Sequence, residues 1–303
     1  MKSARTAMVT SQNRNPLRLG WRFWLWFLAL GLLTSTFIHP SWTLPRPIHR
    51  YLFVIDITQS MNTRDLHLPG YPGDRLGYLK AALEHALLAM PCGSEAGLAV
   101  FTHKNTQMIL TPLEICRHAP AIQDALRSID WRSAWAADSH IAYGLFDAIR
   151  TAKEVEAALV FLSDGEQMPK TLREPGFRDN PGQVSGWIIG TGNRTLSPIP
   201  KLDMEGRMTG HWKISDLPRQ NLTTRYRSNA ATHRSGLLLS HLDEARLRRL
   251  AGVTGLGYRR LTTPDDLREI LTSPATSQIR PTEIDLGPWL AGIALGIAII
   301  VLI

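Results

Sequence analysis

The apolar residues of this chain form two long uncharged runs, one near each end, with shorter runs between them. The first long run, 23–38, has 16 residues and the last, 286–303, has 18. A helix that crosses a bilayer needs roughly 17–25 mostly apolar residues. Tryptophans and Arg22 border the first run and can lie at a membrane interface. We therefore predict an N-terminal membrane anchor over 23–42 and a transmembrane helix over 286–303.

Each apolar run has an alternative interpretation. The first is similar to the apolar part of a cleaved signal peptide, but Thr34-Ser35-Thr36 is a poor cleavage site and bulky residues follow it. The second could be a buried core helix, although such helices usually carry a polar face and this run has none. The patterns favour membrane helices at both ends.

Between the two ends, short apolar runs alternate with segments that repeat apolar residues every three to four positions. Continuous apolar runs suit strands buried on both faces, and the three-to-four spacing is typical of helices. The pattern predicts strands at 51–55, 97–101, 106–110, 157–162 and 184–189, and helices at 76–90, 112–129, 141–152, 242–251 and 265–271. Such alternation predicts an α/β fold with a doubly wound, mostly parallel sheet. The polar stretches 166–182 and 192–240 are long for connections and are candidates for a functional surface.

Much of the basic charge lies at the N-terminus. The formal net charge is +8, from 34 basic and 26 acidic residues. Residues 1–22 hold no acidic residue and five basic ones: Lys2, Arg5, Arg14, Arg18 and Arg22. Without these five, 29 basic residues face 26 acidic ones, and this balance of +3 argues against a nucleic-acid-binding face. The positive-inside rule predicts a cytoplasmic leader over 1–22 and a main domain over 46–285 in the periplasm of a bacterium, anchored to the inner membrane.

The only two cysteines, Cys92 and Cys116, flank a predicted strand pair. Because the periplasm is oxidising, this placement favours a disulfide between them. The alternative is a pair of buried free thiols. In the chain-entropy model a bridge that closes a loop of about 25 residues contributes about 3.5 kcal/mol to the free energy of unfolding.

Oxygen-bearing side chains cluster around the ends of predicted strands. Asp56, Thr58 and Ser60 follow the first strand, Asp164 follows the strand at 157–162, and Ser139 precedes a helix. Sites in open parallel sheets form beyond the carboxyl ends of the strands, so these five side chains are expected to converge if the backbone after Asp56 stays extended. Two carboxylates and three hydroxyls suit Mg²⁺, or alternatively Ca²⁺ or Mn²⁺, with a position left for a partner. Taken singly, each fragment could instead be a turn or a helix cap.

This pattern resembles the metal-ion-dependent adhesion site of von Willebrand factor type A (vWA) domains. Asp56-Ile57-Thr58-Gln59-Ser60 is similar to the family's Asp-x-Ser-x-Ser, with Thr58 in place of the first Ser. Ser139 stands where the family has a Thr, and Asp164 matches the Asp after a central strand. Both departures keep a hydroxyl. The resemblance implies a vWA fold and a non-enzymatic module that captures a protein client through a divalent cation.

The resemblance covers 50–272 and includes features of bacterial membrane-anchored vWA proteins, such as Gly190-Thr191-Gly192. Those proteins are commonly encoded beside MoxR-type AAA+ ATPases. The segments 56–62, 69–72 and 74–76 resemble accessory factors of methanol dehydrogenase. This resemblance implies that the client is methanol dehydrogenase or one of its accessory proteins, and that the step is maturation or calcium insertion. The alternative is a general envelope assembly or stress factor that works with a MoxR-type ATPase complex.

Two further chemistries find little support in the sequence. A phosphohydrolase of the haloacid dehalogenase type also places an Asp after an apolar strand, but it needs Asp-x-Asp-x-Thr. Thr58 stands where the second Asp is required, so the general acid is missing. The histidines are scattered without a His-x-x-x-His pair, and their linear spacing predicts no zinc site.

Overall fold

The structure is a computed structural model that describes residues 17–38, 40–136, 138–168, 174–216 and 236–302. Most of the predicted leader, including Lys2, Arg5 and Arg14, lies outside the described residues, as do parts of the stretches 166–182 and 192–240. The chain divides into two compact units. One comprises 47–279, and the other combines 1–46 with 280–303.

The larger unit is built on a six-stranded sheet. The strands of the described chain are β1 (Ser41–Ile48), β2 (Arg50–Asp56), β3 (Glu95–Thr102), β4 (Asn105–Glu114), β5 (Ala158–Ser163), β6 (Gly186–Thr191), β7 (Ser197–Pro198), β8 (Pro200–Leu202), β9 (Met208–His211), β10 (Leu239–Ser240), β11 (Gly257–Leu261) and β12 (Gln278–Asp285). The sheet has the order β11-β6-β5-β2-β3-β4, and only β4 runs antiparallel to its neighbour. The prediction of a mostly parallel sheet is confirmed.

Helices cover both faces of this sheet. These are α2 (Arg75–Leu88), α3 (Ala119–Ser128), α4 (Ile141–Glu154), α5 (Glu244–Thr254) and α6 (Pro264–Leu271), whereas α1 (Leu17–Ser35) and α7 (Gly287–Leu302), the other α-helices of the described residues, belong to the smaller unit. Alternate residues of β2 point to opposite faces. Tyr51 and Phe53 share one buried cluster with α2, α3 and α6, whereas Leu52 and Val54 share another with α4 and α5. The doubly wound arrangement is therefore confirmed, and the carboxyl ends of β2 and β5 lie side by side at one edge.

The predicted helix over 112–129 is wrong in its first part. Strand β4 continues to Glu114, and α3 begins only at Ala119. Pro112 is tolerated there because β4 is an edge strand and its register with β3 shifts between Ala96 and Leu98. The strand predicted at 184–189 begins two residues later, at Gly186.

The cysteine prediction is confirmed. Cys92 and Cys116 form a disulfide with a Cα–Cα distance of 5.4 Å and a sequence separation of 24. Cys92 precedes β3 and Cys116 follows β4, so the bridge closes the open end of this antiparallel pair.

The described part of the stretch 192–240 contains short strands. β8 pairs with β9, and β7 pairs with β10, both antiparallel. These pairings were not predicted, because strands of two to four residues are too short to show an alternating pattern.

The smaller unit contains α1 packed against α7, and β1 paired with β12 in a two-stranded sheet. In the segment predicted as an anchor, 23–42, α1 ends at Ser35, a short 3₁₀ turn follows it, and β1 begins at Ser41. Within the described residues, one helical segment, 20–38, is long and apolar enough to cross a membrane, with a mean hydropathy of 1.3. The apolar helix α7 has 16 residues, which corresponds to about 24 Å. The segment 20–38 indicates a membrane-anchored protein.

Candidate functional site

The segment after β2 gathers three oxygen-bearing side chains. Thr58 donates to Oδ1 of Asp56 from its backbone nitrogen at 2.9 Å and from its hydroxyl at 2.7 Å. The hydroxyl of Ser60 lies 3.3 Å from that of Thr58. An extended backbone after Asp56 was the condition for the predicted convergence. The backbone does not stay extended beyond Thr58, because Gln59–Asn62 forms a 3₁₀ turn. The turn nevertheless keeps the three oxygens adjacent and buried.

Asp56 is held from its other side by β5, the neighbouring strand. Ser163, the last residue of β5, donates its hydroxyl to Oδ2 of Asp56 at 2.6 Å. The same hydroxyl accepts from the backbone nitrogen of Gly165 at 2.9 Å. Thr58 and Ser163 donate hydrogen bonds to the carboxylate of Asp56 and so fix its orientation. Because these hydroxyls act as donors to the carboxylate, lone pairs on their oxygens stay available for a cation.

Asp164 is buried beside a buried arginine. Nη1 of Arg75 lies 2.7 Å from Oδ2 of Asp164 and 3.4 Å from the carbonyl oxygen of Ser60. The other oxygen of Asp164 accepts from the backbone nitrogen of Glu166 at 2.9 Å. Arg75 thus connects the loop after β2 with the loop after β5. Each carboxylate oxygen of Asp164 keeps a further lone pair for a water molecule or a cation.

Arg75 is itself compensated by a second carboxylate. Its Nη2 and Nε donate to Asp65 at 2.6 and 3.1 Å, and Asp65 also accepts from the backbone nitrogen of Asn193 at 3.0 Å. Burial alone would lower the pKa of Arg75, but Asp164 and Asp65 outweigh it and raise that pKa. Gly192 makes room for this arrangement, because a Cβ there would lie 2.6 Å from Nε of Arg75.

Ser139 is positioned by main-chain bonds to two neighbouring segments. Ser139 and Met168 exchange backbone hydrogen bonds of 2.7 and 2.9 Å, and the backbone nitrogen of His140 donates to the carbonyl of His103 at 2.7 Å. His103 follows β3, and Met168 lies four residues after Asp164, so Ser139 lies at the same edge of the sheet as Asp56 and Asp164. Its hydroxyl is buried and has no hydrogen-bond partner within the described part of the chain.

The donor set fits a hard divalent cation. A buried hydroxyl without a partner is destabilising, and a ligand that accepts its lone pair would remove this deficit. Burial raises the pKa of Asp56 against the hydrogen bonds from Ser163 and Thr58. Burial, opposed by Arg75 and reinforced by the charge of Asp56, raises the pKa of Asp164 to about 7. Burial is the main cause of both shifts, and a bound cation would offset it by stabilising the ionised carboxylates.

Four polar residues of this network were not predicted from the sequence: Asp65, Arg75, Ser163 and Ser240. Ser240 accepts from Nη1 of Arg75 at 2.6 Å and is fully buried. Ser163 stands next to Asp164 in sequence and could have been recognised by its position at the end of a buried strand. The sequence gives no comparable signal for Arg75, because an arginine in the first turn of a helix is usually exposed.

Comparison with known proteins supports the fold. Residues 51–167 match the family model described as the von Willebrand factor type A domain. A search of curated proteins found no significant match. Among solved structures, the conserved hypothetical protein BatB from Bacteroides thetaiotaomicron is similar, with a TM-score of 0.54, 16% identity, and coverage of 75% of this chain and 98% of that chain.

A second solved structure has the same relationship to this chain. It is an aerotolerance-related membrane protein from Bacteroides fragilis NCTC 9343, with a TM-score of 0.51, 16% identity, and coverage of 75% of this chain and 98% of that chain. At this level of identity the similarity concerns the fold alone. The family match over 51–167, the sheet order and both structural similarities agree on an α/β fold of the von Willebrand factor type A kind.

Proposed function

We propose that this protein is a membrane-anchored, non-enzymatic binding module that captures a protein client through a divalent cation. The cation would be held by Asp56, Thr58, Ser60, Ser139 and Asp164. The observation that carries the proposal is the buried hydroxyl of Ser139, which has no hydrogen-bond partner among the described residues, at the sheet edge that also holds the other four side chains. The coarser part, a vWA fold typical of protein interaction, rests on the family match and the structural similarities.

Magnesium is the cation that the ligands favour, with Ca²⁺ or Mn²⁺ as alternatives. Carboxylate and hydroxyl oxygens are hard ligands, and Mg²⁺ keeps several water molecules when few carboxylates are offered. When bound, the cation supplies an electrophilic position that an acidic side chain of a client can occupy. In this chain, Thr58 and Ser163 orient Asp56, and Arg75 orients Asp164.

The client is proposed from resemblance. The segments 56–62, 69–72 and 74–76 are similar to MxaL, an accessory factor of the methanol dehydrogenase gene cluster. On this basis the client is methanol dehydrogenase or one of its accessory proteins, and the supported step is maturation or calcium insertion. The alternative is a general envelope assembly or stress complex with a MoxR-type AAA+ ATPase, a type of partner commonly encoded beside the bacterial membrane-anchored vWA proteins that this sequence resembles.

The proposed location is the bacterial inner membrane, with the vWA domain in the periplasm. The basic residues before α1 favour a cytoplasmic N-terminus by the positive-inside rule. The disulfide between Cys92 and Cys116 supports an oxidising compartment for the domain. The second apolar helix, α7, would then return the chain toward the cytoplasm.

The proposal is tested by affinity capture from native membranes with Mg²⁺ present, followed by mass spectrometry. Wild type is compared with Asp56→Ala, which removes the central carboxylate, and with Asp124→Ala, which changes an exposed carboxylate on α3. Methanol dehydrogenase or its accessory proteins should be captured by wild type and Asp124→Ala and be lost with Asp56→Ala. Capture of MoxR-type ATPase partners instead would favour the alternative client. Equal capture of the same proteins by all three forms would contradict cation-dependent binding.

A further inference from the structure

A cluster of metal-ligating side chains lies beside the proposed adhesion site. Nδ1 of His103 lies 2.7 Å from Oδ1 of Asp138, and Nε2 of His140 lies 3.3 Å from Oδ2 of the same carboxylate. One ligand atom from each of the three residues lies within 4.8 Å of the other two. Their side chains are 34, 23 and 13% exposed in that order, so the cluster is accessible from solvent but largely enclosed.

The main chain fixes the two segments that contribute these side chains. The backbone nitrogen of His103 donates to the carbonyl of Asp138 at 3.1 Å, and that of His140 donates to the carbonyl of His103 at 2.7 Å. His103 has a positive φ of 60°, a conformation that is uncommon outside glycine and that concentrates at functional positions. The turn after β3 is therefore held in a conformation that presents the imidazole of His103 to Asp138.

The ligand set has the composition of a transition-metal site. Two imidazoles and one carboxylate bind divalent metals such as Zn²⁺ at about 2.0–2.2 Å, and three protein ligands leave a position open for water or another group. Ligand atoms in a tetrahedral site are about 3.3 Å apart, so the His103–Asp138 contact would have to widen by well under 1 Å. The ammonium of Lys104, the residue after His103, lies 5.5 Å from the centre of the Tyr143 ring and forms a cation–π contact with it.

We propose that His103, Asp138 and His140 form a second metal site that binds a divalent transition metal, with Zn²⁺ as the representative ion. The site is distinct in chemistry from the oxygen-only set around Asp56, since imidazole nitrogen selects Zn²⁺, Ni²⁺ or Cu²⁺ over Mg²⁺. Linear spacing does not predict it, because the two histidines lie on separate segments that only the fold brings together. A metal there would immobilise the segment 138–140, which also carries Ser139. The relevance of this immobilisation to Ser139 rests on the proposed function, whereas the proposal of the metal site itself does not.

The test is a Zn²⁺ titration of the full-length protein, purified in detergent without a histidine tag and stripped of metal with a chelator. Binding is followed by calorimetry, and bound metal is counted after gel filtration. The variants His103→Gln and His140→Gln remove one ligand each, and His85→Gln changes an exposed histidine on α2 as the matched control. Asp56→Ala separates this site from the proposed adhesion site.

Wild type, His85→Gln and Asp56→Ala should each bind one Zn²⁺. Loss of one ligand should weaken binding by at least the roughly 10–100-fold that changes around metal sites produce. Thermal unfolding without metal should remain cooperative for all variants, which shows that the fold is retained. Zinc binding that is absent from wild type, unchanged in both ligand variants, or lost in Asp56→Ala would overturn the proposal. Failure of Asp56→Ala to alter Mg²⁺ or client binding would contradict only the proposed function.

Discussion

Nη1 of Arg75 donates a 2.7 Å hydrogen bond to Oδ2 of Asp164, and both side chains are fully buried. The partner on the other side of the guanidinium, Asp65, is almost equally buried. A buried charge is stable only when it is paired and hydrogen-bonded, so this arginine holds two loops of the proposed adhesion site in fixed positions.

Removing Arg75 should destabilise the fold strongly. Arg75→Met leaves Asp65 and Asp164 buried without a cation, and breaking a buried pair of this kind reduces the free energy of unfolding by about 3–5 kcal/mol. Arg75→Lys keeps the charge but loses the paired contacts to Asp65, so its loss should be smaller. Chemical denaturation of the full-length protein measures both. A loss below about 1 kcal/mol for Arg75→Met would contradict the role of this ion pair.

The packing of α4 against the sheet depends on Gly144. A Cβ at this position would overlap the ring of Phe101 on β3. Gly144→Ala should therefore lower the free energy of unfolding by about 1–3 kcal/mol through overpacking. Gly252→Ala is the matched control, because Gly252 is exposed on α5 with open space around it, and alanine there should stabilise the helix by up to about 1 kcal/mol. Equal effects of the two substitutions on the denaturation midpoint would argue against this packing.

The disulfide should stabilise the antiparallel pair β3–β4. Replacing Cys92 and Cys116 with alanine removes the cross-link and should lower the free energy of unfolding by about 3.5 kcal/mol in the chain-entropy model. Denaturation of the double variant, compared with wild type in the presence and absence of reductant, measures the effect. Reduced wild type should behave like the double variant, and an identical midpoint for oxidised wild type and the double variant would be inconsistent with the bridge.

Asp266 should make stability depend on pH in the acid range. Burial would raise its pKa, but hydrogen bonds from Thr262 and Thr263 outweigh this and lower the pKa to about 2. Because the folded pKa is depressed below its ordinary value of 3.8, the stabilisation is present above about pH 4 and is lost as the pH falls toward 2. Asp266→Asn should therefore unfold more easily than wild type at pH 7, and the difference should shrink toward pH 3.

The control for this pH dependence is Asp265→Asn. Asp265 is exposed on the same helix and forms only a surface ion pair with Arg268, which contributes at most about 1 kcal/mol. Thermal unfolding across pH 7 to 3 distinguishes the two carboxylates. A difference between wild type and Asp266→Asn that stays constant over this range would show that the carboxylate of Asp266 is not the stabilising group.

The fold was predictable because its central strands are uniformly apolar. β2 and β5 lie in the middle of the sheet and are buried on both faces, so their sequences show the apolar runs expected of such strands. β11 was missed because Gly257–Leu261 is an edge strand with two arginines and no apolar run. The predicted strand corresponding to β4 ended too early, at residue 110, because Pro112 suggested the start of a helix. An edge strand tolerates proline equally well.

The candidate site was predictable where its residues end or follow a strand, or precede a helix as Ser139 does. Asp56 and Asp164 could be placed at one sheet edge because each comes after a buried strand. The positions of Arg75, His103 and Asp138 depend on which loops are in contact in the folded protein. The spacing of these residues along the sequence does not predict those contacts. Buried polar networks of this kind are therefore found from the structure, through their hydrogen bonds and burial.

The central claim is that Asp56 and its neighbouring oxygens bind a divalent cation. The most direct measurement is a calorimetric titration of metal-stripped, full-length protein with Mg²⁺, an ion that the imidazole cluster does not favour. Wild type and Asp124→Ala should bind one Mg²⁺, and Asp56→Ala should lose at least about tenfold in affinity because the carboxylate at the centre of the site is gone. Equal Mg²⁺ affinity in wild type and Asp56→Ala, with both proteins folded, would contradict the account.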